Sequence, residues 1–581
     1  MLEALVTSRI RQLGFLLWFM LLPMVLFAAE VEEPEIKMGP LLSFRESNAE
    51  NNTWKVSAEY LIKSSNKKSQ APLVFHDNGR ADQSFGVIIG SRFGYDFIRY
   101  EMTIYQGFYE KVVSYKLDGE QASHEFYVPA AGQNPNIAYT SCNGTQNKED
   151  LKKVGGISSM WAEINRRHAQ EPFHVQLGGG DQIYADGLPG EESSEVSVGK
   201  NTFGVFALSS LQDWLSVKEQ LGFAPFTDNM IEETQRFYFD HYVRHYNTAE
   251  FKQTMASVPM LAQPDDHDFY DGCGSYPPYL QNSPIMSGIR SIAAWYAFVI
   301  QHQINVDELT HDKSPLPAYH FLHVFNKNLA ILGVDTRTER SYDQVVSDTS
   351  WDLIFNSLEK LGPDCKHVVV MLAIPVVYAS TKILEEAIRV AESSSTLNNL
   401  ASKRPGIKNA FGLFELADDG QDGWCNKSHK KERNNMILRF QKLAREKHIR
   451  ISFIGGDVHL GGAGKIYRKE NGINDSSEDA IWQIISSPVG NICVEKPIAR
   501  VLGRMAHHKM NLEDGCAMHV FKLHQEKNNN KDHSLIAHRN FVIFKVMPNM
   551  AIDVTWSAER KKAHKGHKIY QLNIPPTNDN F

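Results

Sequence analysis

Four short apolar runs along the chain each stop at an acidic turn. Val175-Gln176-Leu177 opens into Gly178-Gly179-Gly180-Asp181-Gln182-Ile183-Tyr184. Val258 to Gln263 leads into Pro264-Asp265-Asp266-His267-Asp268, and Leu329 to Val334 into Asp335-Thr336-Arg337. Ile451 to Ile454 is followed by Gly455-Gly456-Asp457-Val458-His459. Apolar runs this short, bounded by glycine and proline, predict buried strands. An acidic residue just past a strand's carboxyl end lies where open α/β sheets place their ligands. Carboxylates and imidazoles that converge there are costly unless a cation neutralises them. The pattern therefore predicts a metal centre built on strand tips.

The rest of the patterning divides the chain in two. Between residues 37 and 130, stretches such as Trp54 to Ile62 and Phe97 to Tyr105 alternate apolar and polar positions. Asn-, Gly- and Ser-rich breaks separate them, which predicts antiparallel strands with one wet face and a small N-terminal β-sandwich. From residue 131 to 581, strands alternate with helical patterns. Glu233 to His245 and Met286 to Gln301 read as helices, Lys382 to Glu392 and Arg433 to Lys447 as amphipathic ones, and Asn540 to Val554 as strand. That alternation predicts a layered α/β domain. Phe411 to Lys431, rich in glycine and charge, reads as a long loop overhanging the site.

Composition narrows the picture. Hydrophobic residues make up 42% of the 581 and charged residues 22%, a globular profile. A formal net charge of -7 gives no electrostatic reason to expect duplex nucleic acid as a partner. Arg9 and Arg11 precede an apolar stretch from Leu13 to Ala29, followed by acidic, proline-containing sequence. Residues 1–29 thus have the layout of a secretory signal, with a retained signal anchor as the alternative and membrane contact expected only in that case. The expected location is exported. Of the six cysteines, at 142, 273, 365, 425, 493 and 516, removing Cys142 as a metal ligand leaves at most two disulfides. Asn143-Gly144-Thr145 matches a glycosylation acceptor, but a glycan there would crowd the metal site.

Gly180-Asp181-Gln182-Ile183-Tyr184 resembles the Gly-Asp-x-x-Tyr signature shared by purple acid phosphatases and PhoD-like alkaline phosphatases. Tyr139-Thr140-Ser141-Cys142-Asn143 is similar to the Ser-Cys element of PhoD-like enzymes. Asp265-Asp266-His267-Asp268 and Gly456-Asp457-Val458-His459 resemble two further motifs of that family, as do Asp335-Thr336-Arg337 and Ser486 to Asn491. The resemblance runs in order from about Pro135 to Asn491. It implies a metallophosphoesterase-type β-sandwich flanked by helices, and an enzyme that hydrolyses phosphate esters.

The resemblance also implies roles. Asp181 would bridge two ions; Cys142, Tyr184 and His459 would complete a site for Fe3+. Asp266 and Asp457 would supply carboxylate oxygens, which favour a hard ion such as Ca2+ over zinc. His267 would hydrogen-bond the phosphate or protonate the leaving group, against a reading in which it merely holds Asp268. Arg337 is a candidate for bidentate phosphate contact, against an internal salt bridge to Asp335 or Glu339. Asp335 is either a further ligand or a partner of Arg337. The expected substrate is a small phosphate ester, monoester preferred. A phosphodiesterase or phospholipase acting on lipid head groups, and a non-catalytic calcium-binding interaction protein, stay open as alternatives.

Overall fold

A computed structural model describes residues 34–577, except 65–70, 78, 188–203, 307–319, 379–421, 471–473, 508, 513–514, 522, 524–534 and 561–565. The leader-like residues 1–29 and the helix expected over 382–392 lie outside the described residues.

Among the described residues, two large sheets face one another. The first has ten strands, in the order His567–Ile574, Ile552–Glu559, Asn540–Val546, Ile137–Thr140, Val175–Gly179, Met260–Gln263, Ile36–Asn48, Thr53–Lys63, Tyr95–Tyr105 and Val87–Arg92. Its middle is parallel: Ile137–Thr140, Val175–Gly179, Met260–Gln263 and Ile36–Asn48 run the same way. The second sheet has nine strands. At its centre Leu329–Val334, His367–Leu372, Arg450–Gly455 and Ile481–Ile485 are parallel. These strands are buried along their whole length, as continuous apolar runs require when both sheet faces are covered.

Between the sheets lies one apolar core, with Tyr139, Leu177, Ile331, Met371, Ile454 and Trp556 among its members. The outer face of the ten-stranded sheet is covered by Ser158–Gln170, Asp228–Tyr246 and Pro284–Tyr296, whose core includes Trp161, Tyr242 and Met286. Thr227 and Ser283 cap the latter two helices through side-chain oxygens, the second having proline just inside its start. Asp348–Glu359 and Lys430–Lys447 cover the other sheet through Trp351, Phe355, Met436 and Phe440. The molecule is therefore layered helix, sheet, sheet, helix, the α/β class expected.

The N-terminal region departs from expectation in one respect. Residues 37–130 do form two β layers, and Leu73–Asp77, Arg80–Ser84, Lys111–Leu117 and His124–Val128 make a separate four-stranded sheet. The other layer is continuous with the middle of the ten-stranded sheet, because Ile36–Asn48 pairs with Met260–Gln263. Thr53–Lys63 consequently has no wet face; it is buried on both sides through most of its length. Tyr95–Tyr105 does show the expected alternation toward its end.

All six cysteines are unpaired, five of them buried. None of the at most two disulfides that the cysteine count allows is formed. Among the described residues, no helix is long and apolar enough to cross a membrane.

Trp556 ties the two large sheets together: it is fully buried, and its indole N–H donates to the Ile485 carbonyl at 2.9 Å. Trp556→Ala should destabilise the protein by about 3–5 kcal/mol. Trp556→Phe, which keeps most of the packing but strands that carbonyl, should cost about 1–3 kcal/mol. Chemical denaturation of the three proteins side by side checks this ordering.

Candidate metal centre

Carboxyl ends of parallel strands from both sheets meet at one place. Ile137–Thr140 delivers Ser141 and Cys142, Val175–Gly179 delivers Asp181, and Met260–Gln263 delivers Asp265 to Asp268. From the facing sheet, Arg450–Gly455 delivers Asp457 and His459, and Ile481–Ile485 delivers Ser486 and Ser487. Cross-sheet hydrogen bonds lock the tips together. Ser141 Oγ donates to the Ser486 carbonyl at 2.9 Å, and Cys142 Sγ lies 2.9 Å from Ser487 Oγ. Backbone N–H groups of Val489 and Gly490 donate to the carbonyls of Ser141 and Cys142.

The turns are strained where the candidate ligands sit. Cys142, Asp181, Asp457 and His459 have φ of 56°, 54°, 56° and 51°, the left-handed region that non-glycine residues avoid. Strain of this kind persists only where the surroundings over-determine it, and it gathers at functional sites. Glycine allows the approach beside it. At Gly180, with φ 108°, an added Cβ would come within 2.6 Å of the Asp265 side chain. At Gly456 an added Cβ would lie 2.0 Å from Ser141 Oγ.

Carboxylate oxygens of Asp181, Asp265, Asp266 and Asp457 lie within 4.8 Å of one another. Asp181, Asp266 and His267 form a second, overlapping group of the same tightness. Asp181 Oδ1 and Asp265 Oδ2 are buried with no hydrogen-bond partner among the described residues. Burial pushes the Asp181 carboxyl well above the usual range, with Asp265, Asp266 and Asp268 adding to the rise against His267. Burial and the neighbouring aspartates do the same to Asp457. Asp265 is raised to about 7, burial outweighing the pull of Arg337. Only protons or a cation relieve such crowding, and oxygen donors of this kind suit hard cations.

Tyr184 and His459 stand on the other side of Asp181. The Tyr184 hydroxyl donates to Asp181 Oδ2 at 3.3 Å and lies 3.1 Å from His459 Nε2. Burial raises the Tyr184 phenol and the Cys142 thiol well above their ordinary values, and it lowers His459 to about 4. All three would lose those protons or stay neutral as ligands of a cation. The donor set thus fits metal ions on both flanks of Asp181.

His267 stacks on the Tyr184 ring, centroids 4.1 Å apart. Its Nδ1 pairs with Asp186 at 2.6 Å, and its Nε2 lies 3.8 Å from Asp271. Burial works against its positive charge, but Asp186, Asp266, Asp181 and Asp271 together raise it well above the ordinary histidine value. It does not hold Asp268. That residue accepts backbone N–H bonds from Gln182, Ile183 and Asp265 and one from the Gln301 amide, stitching two of the loops together.

Arg337 differs from the expectation. It is fully buried, and its guanidinium donates to Asp265, Asp266, both oxygens of Asp422 and the Cys273 carbonyl. No donor faces outward for a phosphate. The salt bridges are not to Asp335 or Glu339 either. Asp335 instead accepts the backbone N–H groups of Arg337 and Thr338, shaping its own turn. Asp422, which begins the described part of the loop expected over 411–431, is held below the usual carboxylate range: burial opposes this, and Arg337 and Arg340 prevail.

Asp265, Asp186 and Asp422 are the residues that motif reading missed. Asp265 and Asp186 lie inside the motifs' own stretches, while nothing in the sequence around Asp422 signals its place. Asn143 is 1% exposed, accepts from Trp161 Nε1 at 2.7 Å and lies 3.0 Å from His245, so no glycan can be attached in this fold.

Known proteins give the arrangement its context. An uncharacterized protein of Saccharomyces cerevisiae, YGR266W, is 28% identical over 442 residues, covering 68% of this chain. The match spans 60% of the yeast protein's length. The solved structure of PhoD superimposes with a TM-score of 0.53 at 12% identity, covering 93% of this chain and 92% of that one, so the fold is shared. A family model described as PhoD related phosphatase matches residues 121–403 and 401–575, a span that takes in every candidate ligand above. The chain belongs to the PhoD-related phosphatase family.

Proposed function

We propose that the protein hydrolyses phosphate esters, monoesters first, with a water activated at a two-metal centre. One observation carries the reading: four carboxylates, three buried and Asp457 half-buried, converge within 4.8 Å, and two of their oxygens have no partner among the described residues. In this reading Cys142, Tyr184 and His459 would hold Fe3+, Asp266 and Asp457 would hold Ca2+ with Asp265 beside them, and Asp181 would contribute to both sites. Bound cations supply Lewis acidity, polarising the phosphoryl group and lowering the pKa of water.

The chain's own residues do the rest. His267, kept protonated by Asp186 at Nδ1, holds a proton at Nε2 for the departing alkoxide. Tyr184 fixes the imidazole plane by stacking. Arg337 acts as a positioning residue: it neutralises part of the acidic cluster and holds Asp265 and Asp266 at fixed angles. We propose export as the location, with residues 1–29 as the leader.

Purified protein should contain iron and calcium by elemental analysis and hydrolyse p-nitrophenyl phosphate; a preparation with neither metal that is fully active would remove the centre from the mechanism. Asp181→Asn should abolish activity and lower the occupancy of both metals. His267→Asn should keep both metals and lose roughly 10²–10⁴-fold in kcat. The loss should be smaller on p-nitrophenyl phosphate, whose alcohol leaves without a proton, than on an alkyl phosphate. If His267→Asn sheds metal as Asp181→Asn does, the histidine is a ligand and its role as acid is wrong.

Arg337→Leu should cost about 3–5 kcal/mol in stability by leaving buried carboxylates uncompensated. Arg337→Lys should also weaken the fold, since an ammonium cannot copy the fork on Asp422. Thermal unfolding distinguishes this from a substrate-binding role, in which KM would rise in a fully stable protein.

A further inference from the structure

The helix Lys496–His507 has three distinct faces. Ala499, Gly503 and Ala506 are buried, and these small residues seat the helix closely on the body. A second face carries Ile498 and Val501, 52% and 55% exposed, with Met505 half-buried beside them. The third carries Lys496, Arg500, Arg504 and His507, continued by Lys509 just beyond the helix. The helix itself has no acidic residue. Among the described residues, none of Lys496, Arg500, Arg504 or Lys509 has an ion-pair partner.

A row of cations without ion-pair partners among the described residues is unexpected on a chain whose net charge is -7. Beside it, branched apolar side chains stand in water although the helix has a packed face of its own. Basic and apolar stripes side by side are the chemistry of a helix that lies in a lipid interface, its apolar residues entering the headgroup layer and its cations meeting anionic lipids. Nucleic acid would use the cations and leave the apolar stripe without a purpose. We infer that Lys496–His507 docks the protein on an anionic lipid surface. The helix follows directly on the Ser486 to Asn491 loop that cradles Cys142, and Val494 N–H donates to the His459 carbonyl at 3.4 Å. Docking would therefore bring the metal centre close to the lipid surface.

The test is co-sedimentation of the full chain with phosphatidylcholine vesicles, with and without phosphatidylserine. Two double variants accompany the wild type: Arg500→Glu with Arg504→Glu, and Ile498→Ser with Val501→Ser. Binding to the anionic vesicles should exceed binding to neutral ones and fall at least about tenfold in each variant. Thermal unfolding should be unchanged, because all four positions are exposed or outward-facing. Equal binding to both vesicle types, or variants that bind as the wild type does, would overturn the inference and would leave residues 1–29 to account for any lipid contact. A loss on charge reversal alone would also overturn it, reducing the helix to a general polyanion site. Vesicle binding is read without turnover, so its failure and failure of the proposed chemistry are separately visible.

Discussion

Negative charge withdrawn from water is the constraint that organises this molecule. Asp181, Asp265, Asp266 and Asp457 are held close together, and burial raises the carboxyls of Asp181 and Asp457 well above their usual range. The fold answers with buried arginines of its own, Arg337 and Arg340. Around that compromise the backbone is bent into left-handed turns at Cys142, Asp181, Asp457 and His459. The apolar sandwich behind the turns, and the cross-sheet bonds from Ser141 and Trp556, supply the rigidity that keeps them bent.

Division of labour among the acidic residues follows from what each side chain meets. Asp268 is saturated by backbone N–H groups and serves as a bracket between loops. Asp335 shapes its own turn. Asp422 is saturated by arginine and serine. Within the cluster, Asp181 and Asp265 keep buried oxygens without partners among the described residues. A carboxylate with its hydrogen bonds made is architecture; one left wanting is available for a ligand.

Much of this could be read from residue order alone. Strand tips were legible because apolar runs, glycines and acids follow one another within a few positions, and the layered α/β class followed from their alternation with helices. Long-range pairing was not. Arg337 meets Asp265 and Asp422 across 72 and 85 residues, and His267 meets Asp186 across 81. Nothing local to those residues distinguishes a guanidinium that faces a phosphate from one consumed inside. Likewise, the alternation in residues 37–130 predicted strands but could not say that Ile36–Asn48 would run parallel to Met260–Gln263. Cysteine count set an upper bound of two disulfides and carries no geometry to say that none forms.

That last pairing bears on how the chain is made. A ribosome releases Ile36–Asn48 more than two hundred residues before its parallel neighbour Met260–Gln263 exists, and Ile137–Thr140 must wait until Asn540–Val546 emerges to be covered on its other side. Until then both present open edges, the kind of surface on which strands from other chains can pair. Such non-local pairing also slows folding. Cutting the chain near residue 130, or trimming its last strands, would make those edges permanent.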